Sequence, residues 1–209
     1  MSKPDLILIG AGGHARACID AVEQEGIYKI AGLIGLAKEV GTKHFGYEVL
    51  ATDLELPVLA KQYRFALVTI GQIQTAEQRI RLYSQAQDSG FTIPTVIAPT
   101  AYVSPHTTIG VGSIVMHGAI INAGAQVGKN CIINSNSLIE HDAHIEDHCH
   151  ISTGVILNGD TSIGTGTFIG SRAVIKEGVS IGSNSLVGMG IMVRHNIANN
   201  EKYLGPTTI

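Results

Sequence analysis

The chain has 209 residues, of which 15% are charged, with a formal net charge of −3. No basic run suits nucleic acid or an anionic membrane, and no apolar stretch approaches the roughly 20 residues of a membrane span. Three cysteines suit a reducing compartment, and Met1-Ser2-Lys3-Pro4-Asp5 reads as a lead into a strand rather than a signal peptide, so a cytoplasmic location is expected.

The first element is the apolar run Leu6-Ile7-Leu8-Ile9, which reads as a strand covered on both faces. Gly10-Ala11-Gly12-Gly13-His14 follows as a turn. Ala15 to Glu25 then reads as a helix with Ala17, Cys18, Ala21 and Val22 on one side. Ile30 to Ile34 is a second strand, and Phe65 to Ile70 another, ending at Gly71. Thr75 to Ser89 is a second helix, with Thr75 placed to cap it and Gln78 to close a capping box. Alternating strands and helices imply a small parallel sheet, a Rossmann-like α/β domain over residues 1–92. The glycine-rich turn lies between strand and helix, the setting in which backbone N–H groups hold phosphate. It departs from the full dinucleotide fingerprint: Ala15 takes the last glycine's place, and Gly35 stands where an acid would meet a ribose. A tight turn and a nucleotide phosphate site remain the two readings of these glycines.

Residues 93–209 follow another rule. Every sixth residue from Ile97 to Val193 is Ile, Leu or Val, without a gap. A series two residues ahead of it is nearly all small, running from Ala101 through Cys131, Ser137, Ala143 and Cys149 to Ser185. A series three residues behind it is Gly, Asn or Asp at most positions, types that accept positive φ. Small and large inward side chains two residues apart describe a short strand. Six residues per face and three faces per coil describe a triangular parallel β-helix, with coils about 4.8 Å apart. A helical period of 3.6 would wind the aliphatic series around the surface. Cys131 and Cys149, 18 residues apart in the small series, are expected to stack in the core on adjacent coils.

Within the coils His141, His144, His148 and His150 fall inside ten residues. His144 and His150 precede inward aliphatics and so point outward on successive faces. His141 and His148 take corners. Spread around the prism, the four cannot together bind one metal. His141 stands apart because Asp142 follows it, an acceptor able to orient the ring and raise its basicity.

These words carry a resemblance. Gly10-Ala11-Gly12-Gly13-His14, Gly71, Asn134-Ser135-Asn136-Ser137-Leu138-Ile139-Glu140-His141-Asp142 and His150 resemble the bacterial sugar acyltransferases that join a Rossmann-like domain to a left-handed hexapeptide β-helix. That family includes nucleotide 4-amino-sugar N-acetyltransferases and proteins labelled sialic acid O-acetyltransferases. The resemblance covers essentially the whole chain. It implies acetyl-CoA as co-substrate, a nucleotide-linked amino-sugar as acceptor, a homotrimer with CoA between adjacent prisms, and a place in surface glycan biosynthesis. It implies His141 as general base and Asp142, where many members carry Glu, as its polarising partner. It implies Asn134 near the acceptor sugar and His150 at the thioester end. Gly170, Gly188 and Gly190 are implied to line the pantetheine and adenine groove. Gly12, Gly13 and His14 are implied to meet the nucleotide-sugar, with Gly71 beside them. No metal is implied. Two words depart from the family pattern: Leu33-Ile34-Gly35-Leu36 lacks an acid, and Tyr203-Leu204-Gly205-Pro206-Thr207 stands for the usual Gly-x-Pro-Ala-Lys. Within acyl transfer, O-acetylation of a sialic or related acid is the alternative. Outside it stand a non-catalytic trimer that senses a nucleotide-sugar, and a zinc carbonic anhydrase. The last pairs histidines five residues apart, a spacing missing here.

Overall fold

The computed structural model describes residues 2–205, so Pro206 and Thr207 of the C-terminal word lie outside it. Strand β1 (Asp5–Ile9) lies second from one edge of a five-stranded sheet. It pairs in parallel with β2 (Lys29–Ile34) on one side. A hairpin, β3 (Lys43–His44) and β4 (Tyr47–Ala51), extends the sheet beyond β2, with β4 parallel to β2. Helix α2 (Leu56–Leu59) leads to β5 (Phe65–Val68), which pairs with β1 on its other side. Leu6 to Ile9 are buried, as a strand covered on both faces must be.

Helix α1 (Gly13–Glu25) buries Ala15, Cys18, Ile19, Ala21 and Val22. Ala17, expected on that side, is exposed, because Ala15, Cys18 and Val22 set the stripe at helical spacing and Ala17 falls beside it. Helix α3 (Glu77–Asp88) starts later than the sequence suggests. The Thr75 hydroxyl accepts from the Glu77 N–H at 3.2 Å, but no capping box forms. The Gln78 side chain accepts from Arg81 Nε instead. The strand expected over Phe65 to Ile70 is β5 and stops at Val68, before the loop that leads into α3.

From Val96–Ile97 to Lys202–Tyr203, two-residue strands stack into three parallel sheets of seven, six and five strands. The sixth-residue aliphatics and the small series fill one continuous core, with Val115, Ile121, Cys131, Ile133, Ile139, Cys149 and Ile151 fully buried. The corners take left-handed φ at Gly112, Gly118, Gly124, Asn130, Asn136 and Asp142 in succession. His148 and Arg172 occupy the same left-handed slot, with φ of 62° and 58°. The slot therefore belongs to the coil geometry and is imposed even on residues that favour it little.

The three outer faces differ. The seven-stranded face begins with Val96, Ile114 and Ile132, which share a core with Leu6, Ala15, Cys18 and Val22 of the α/β domain. The six-stranded face presents a ladder of Tyr102, Ile120, Leu138, Ile156, Val174 and Met192 in direct register. Tyr102, Ile120 and Met192 in that ladder are 56%, 41% and 56% exposed. The five-stranded face presents Thr108, Gln126, His144, Ser162 and Ser180. One face is covered by the chain itself, one is apolar and open, and one is polar. Among the described residues no helix is long and apolar enough to cross a membrane.

Candidate active site

The glycine-rich turn links β1 to α1. Gly10 has φ of 134°, and a Cβ there would lie 2.6 Å from Ile70 Cγ2, so this position requires glycine twice over. Gly12 caps α1 with no side-chain hydrogen bond, and added Cβ atoms at Gly12 and Gly13 would meet open space. The N-terminus of α1 at Gly12 therefore borders a cleft uncrowded by side chains, an arrangement suited to an anion. The cleft encloses about 330 Å³ and is lined by Gly10, Gly12, Gly35, Glu39, Asp53 and Arg81 among others. Glu39 and Asp53 were not singled out from the sequence. Gly35 ends β2 without an acid, and the acids reach the cleft from the following 3₁₀ turns, Ala37–Glu39 and Asp53–Glu55. Glu39 accepts from the Leu36 N–H at 2.8 Å, and Asp53 pairs with Arg81 at 2.6 Å.

The other end of the turn meets the coils. His14, in the first turn of α1, lies against His150 with ring centroids 6.1 Å apart. A Cβ added at Gly71 would come within 3.7 Å of His14 Cβ, so Gly71 lies beside His14. His150 points outward from the prism, as its phase requires, yet it is only 7% exposed because the α/β domain covers it. Its Nδ1 lies 2.9 Å from the Gln72 carbonyl oxygen. A carbonyl only accepts, so Nδ1 carries the proton and Nε2 the lone pair. That lone pair takes a long 3.4 Å contact from Asn134 Nδ2. Phe168 packs edge-on against the ring at 5.2 Å. His14, Gly71, Asn134 and His150 thus come together in one cluster at the domain junction.

The junction is locked by Arg79, which the sequence reading missed. Its side chain is fully buried and meets no carboxylate at ion-pair distance among the described residues. It donates to Gln72 Oε1 at 2.9 Å, to the Asn130 carbonyl, and to Asn130 Oδ1 at 3.2 Å. Gln72 Nε2 in turn donates to the Gly166 carbonyl at 3.0 Å, tying α3 to the coils. A signal was present: Arg79 shares the buried stripe of α3 with Leu82, Tyr83 and Ala86 at helical spacing. A cation on an apolar stripe calls for partners elsewhere in the fold.

Burial and this uncompensated cation set the charge state of both junction histidines. Desolvation, with help from Arg79, lowers the His14 pKa to about 4. Desolvation, then Arg79 and His14, lower His150 to about 3. Both rings are neutral at pH 7, and Nε2 of His14 has no hydrogen-bond partner among the described residues.

His141 and Asp142 sit elsewhere, on the edge between the six-stranded and five-stranded faces. Asp142 takes the left-handed corner slot with φ of 60°. That turn brings Asp142 Oδ2 to 2.9 Å from His141 Nδ1, so the shorter acid does reach the ring. Both side chains are 67% exposed. The hydrogen bond to Asp142 raises the His141 pKa, reinforced by the charges of Asp142, Glu140 and Asp160. Within one protomer the structure does not bring His141 to the junction cluster, since the two occupy different sides of the prism.

The three glycines expected at the CoA groove lie on the edge between the seven-stranded and six-stranded faces. Gly170 is buried, and a Cβ there would strike the Gly188 and Met189 backbone at 2.6 Å, so coil stacking explains it. Gly190 is exposed with φ of 68°. Beside Gly188 and Gly190, Met189 and Leu204 are 81% and 68% exposed. Cys131 and Cys149 are free and fully buried, with Sγ atoms on backbone carbonyls at 3.1 and 3.2 Å. Among the described residues no group of three His, Cys, Asp or Glu could hold a metal ion.

Comparison with known proteins agrees with this construction. Residues 5–85 match the PglD N-terminal domain, residues 124–159 the bacterial transferase hexapeptide (six repeats), and residues 160–194 the hexapeptide repeat of succinyl-transferase. No curated protein matches the chain. Among solved structures, a variant of perosamine N-acetyltransferase from Caulobacter crescentus, in complex with CoA and GDP-perosamine, is 32% identical. It superposes with a TM-score of 0.90, over 95% of this chain and 92% of its own. The acetyltransferase domain of PglB from Neisseria gonorrhoeae, in complex with acetyl coenzyme A, is 29% identical, with a TM-score of 0.87 and 96% of both chains covered. WeeI from Acinetobacter baumannii shares the fold at 22% identity, with a TM-score of 0.84 and 95% of both chains covered. An α/β domain of this topology, a left-handed β-helix of hexapeptide repeats behind it, and full-length likeness at this identity make the chain a member of the bacterial sugar acetyltransferase family, and an acyltransferase.

Proposed function

We propose that the chain transfers acetyl from acetyl-CoA to the 4-amino group of a nucleotide-linked sugar, with His141 as general base, in surface glycan biosynthesis. The observation that carries this reading is the His141–Asp142 pair: an exposed imidazole, oriented at 2.9 Å by a carboxylate and made more basic by it. A sugar amine attacks only when neutral. His141 takes the proton from the amine nitrogen as that nitrogen bonds to the thioester carbonyl carbon. Collapse of the tetrahedral state breaks the C–S bond, and the proton passes to the leaving thiolate. Such a base contributes about 10²–10⁴ in rate. Both coil cysteines are buried, which favours direct attack over an acyl-enzyme.

Residues 1–92 hold the nucleotide in this reading, and residues 93–209 carry the transfer. The helix N-terminus at Gly12 and Gly13 takes the diphosphate, with Glu39 and Asp53 available to ribose or base. His14, Gly71 and Asn134 flank the sugar, and His150 offers its Nε2 lone pair at the thioester end. The open apolar ladder supports a homotrimer, because a stripe of this kind is costly in water. The ladder adjoins the edge that bears His141, so a neighbouring prism packed on it brings His141 toward that neighbour's junction cluster. Four of the basic residues of the coils, Arg172, Lys176, Arg194 and Lys202, lie toward the C-terminal end, where the phosphates of CoA are accommodated. Exposed Met189 and Leu204 beside Gly188 and Gly190 suit the pantetheine arm. The reaction belongs to the cytoplasm, where acetyl-CoA is made.

The test is an acetyl-transfer assay with acetyl-CoA and, side by side, GDP-, UDP-, dTDP- and CMP-linked 4-amino-sugars and free sialic acid, with a thermal shift for each ligand. Turnover on one nucleotide amino-sugar supports the proposal. Turnover on sialic acid alone replaces it with O-acetylation. Binding of a nucleotide-sugar with no release of CoA replaces it with a sensing role.

A further inference from the structure

Gly159 lies one coil beyond His141 on the same edge, and its glycine identity has no backbone explanation. It is outside the set of left-handed residues, which on this edge are Gly124, Asp142, Asp160 and Gly178. The coil does not demand glycine in this register either. Ala123 stands at the same position one coil before His141, and Glu177 at the same position one coil after Gly159. The ladder is fixed by hydrogen bonds from the Asp160 N–H to the His141 carbonyl at 3.1 Å and from the Gly178 N–H to the Gly159 carbonyl at 3.0 Å.

What occupies the missing side chain's space is the His141 ring. A Cβ on Gly159 would lie 2.7 Å from both Cε1 and Nε2 of His141, and 3.3 Å from Nδ1. Those distances are too short for contact, and the pinned coil backbone leaves the imidazole as the part that moves. The same ring is held at Nδ1 by Asp142 at 2.9 Å. Displacing the ring from Gly159 therefore acts on the hydrogen bond that orients it.

We propose that Gly159 is a positioning residue: its bare backbone is the seat on which the His141 imidazole lies, so that Nδ1 meets Asp142 while Nε2 stays on the edge, available to an acceptor. This rests on the reading of His141 as the base. It adds a requirement that the motif around His141 does not contain, placed 18 residues away and reached only through coil stacking. Charged groups facing the ring are Glu140 and Asp142 from its own coil and Asp160 from the next. A displaced ring moves relative to all three.

The test uses Gly159→Ala, His141→Ala and the double variant in the full chain. Gly159→Ala is expected to lower kcat about 10²-fold, the scale of a misplacement near 1 Å, with the KM for acetyl-CoA within about twofold. Its His141 Cε1 proton, followed by NMR, should titrate at lower pH than in the wild type, because the Asp142 contact is weakened. Thermal unfolding supplies a readout independent of catalysis: Gly159→Ala should raise Tm slightly in the His141→Ala background, where no ring fills the seat and the unfolded chain loses entropy, and should give a lower Tm relative to its parent in the wild type, where the ring must be displaced. An equal change of Tm in both backgrounds, or an unshifted His141 titration, overturns the proposal. Full turnover by His141→Ala would instead remove the base assignment, while the thermal cycle and the titration would still decide whether Gly159 seats the ring.

Discussion

Two histidine sites in one chain have been driven in opposite directions. At the domain junction, His14 and His150 are desolvated beside a buried guanidinium, and their pKa values fall to about 4 and about 3. On the open edge, His141 is solvated among Glu140, Asp142 and Asp160, and its pKa rises. Proximity in sequence does not predict environment, since His141 and His150 are nine residues apart. What separates them is half a coil of rotation and the presence of a second domain over one face only. A neutral imidazole with its tautomer fixed is a hydrogen-bonding group; a basic, oriented and accessible one can take a proton.

Removing the edge histidine breaks the comparison most sharply. His141→Ala is expected to lower kcat about 10²–10⁴-fold while acetyl-CoA binding by calorimetry is retained. At the junction, Arg79→Ala should cost about 2–4 kcal/mol in urea unfolding, because it opens a cavity and leaves Gln72 and the Asn130 carbonyl without a donor. The relief of burying an unpaired cation offsets part of that loss. Acid sharpens the contrast. The folded pKa of each junction histidine is depressed below the unfolded value near 6.5, so the unfolded state binds more protons as pH falls. Stability is full above pH 6.5 and is lost on acidification toward pH 3–4, by up to about 1.4 kcal/mol per pH unit for each ring. Chemical denaturation between pH 7 and 4.5 measures the slope, and a flat profile would contradict buried neutral rings. The smallest effect is expected from Asp142→Asn. In the proposed mechanism activity requires neutral His141, so kcat/KM is expected to rise with pH through its pKa. Loss of the aspartate charge lowers that pKa and moves the rising limb to lower pH, with a reduced plateau because the ring is less firmly oriented.

The coils were legible because a strict hexad leaves one answer: aliphatics at Ile121, Ile133, Ile139 and Ile151 all point inward, and the corner slots fall where Gly, Asn and Asp recur. Strand β1 and helix α1 were legible from an unbroken apolar run and a stripe. The hairpin β3–β4 and short helix α2 were not, since residues 35–64 carry neither period clearly. The outward direction of His150 followed from its phase, but its burial did not. The groups that cover it, Gln72 and Phe168, come from a loop of the other domain and from the next coil. Asp142 was legible as the neighbour of His141. Whether so short a side chain would reach the ring depended on the left-handed corner that swings it there. Glu39 and Asp53 were not legible as cleft acids because the family pattern places an acid at the end of β2, whereas this fold delivers them from turns further along.

The regular rise of the prism has a consequence for how such a catalyst can be altered. Height along the axis is quantised: inserting or deleting one complete turn of 18 residues shifts everything beyond it by about 4.8 Å and restores the same facing. A partial insertion would instead rotate every later side chain onto another face. The spacing between the junction pocket and the far cationic end can thus be retuned in whole steps, as on a ruler, for donors or acceptors of different length.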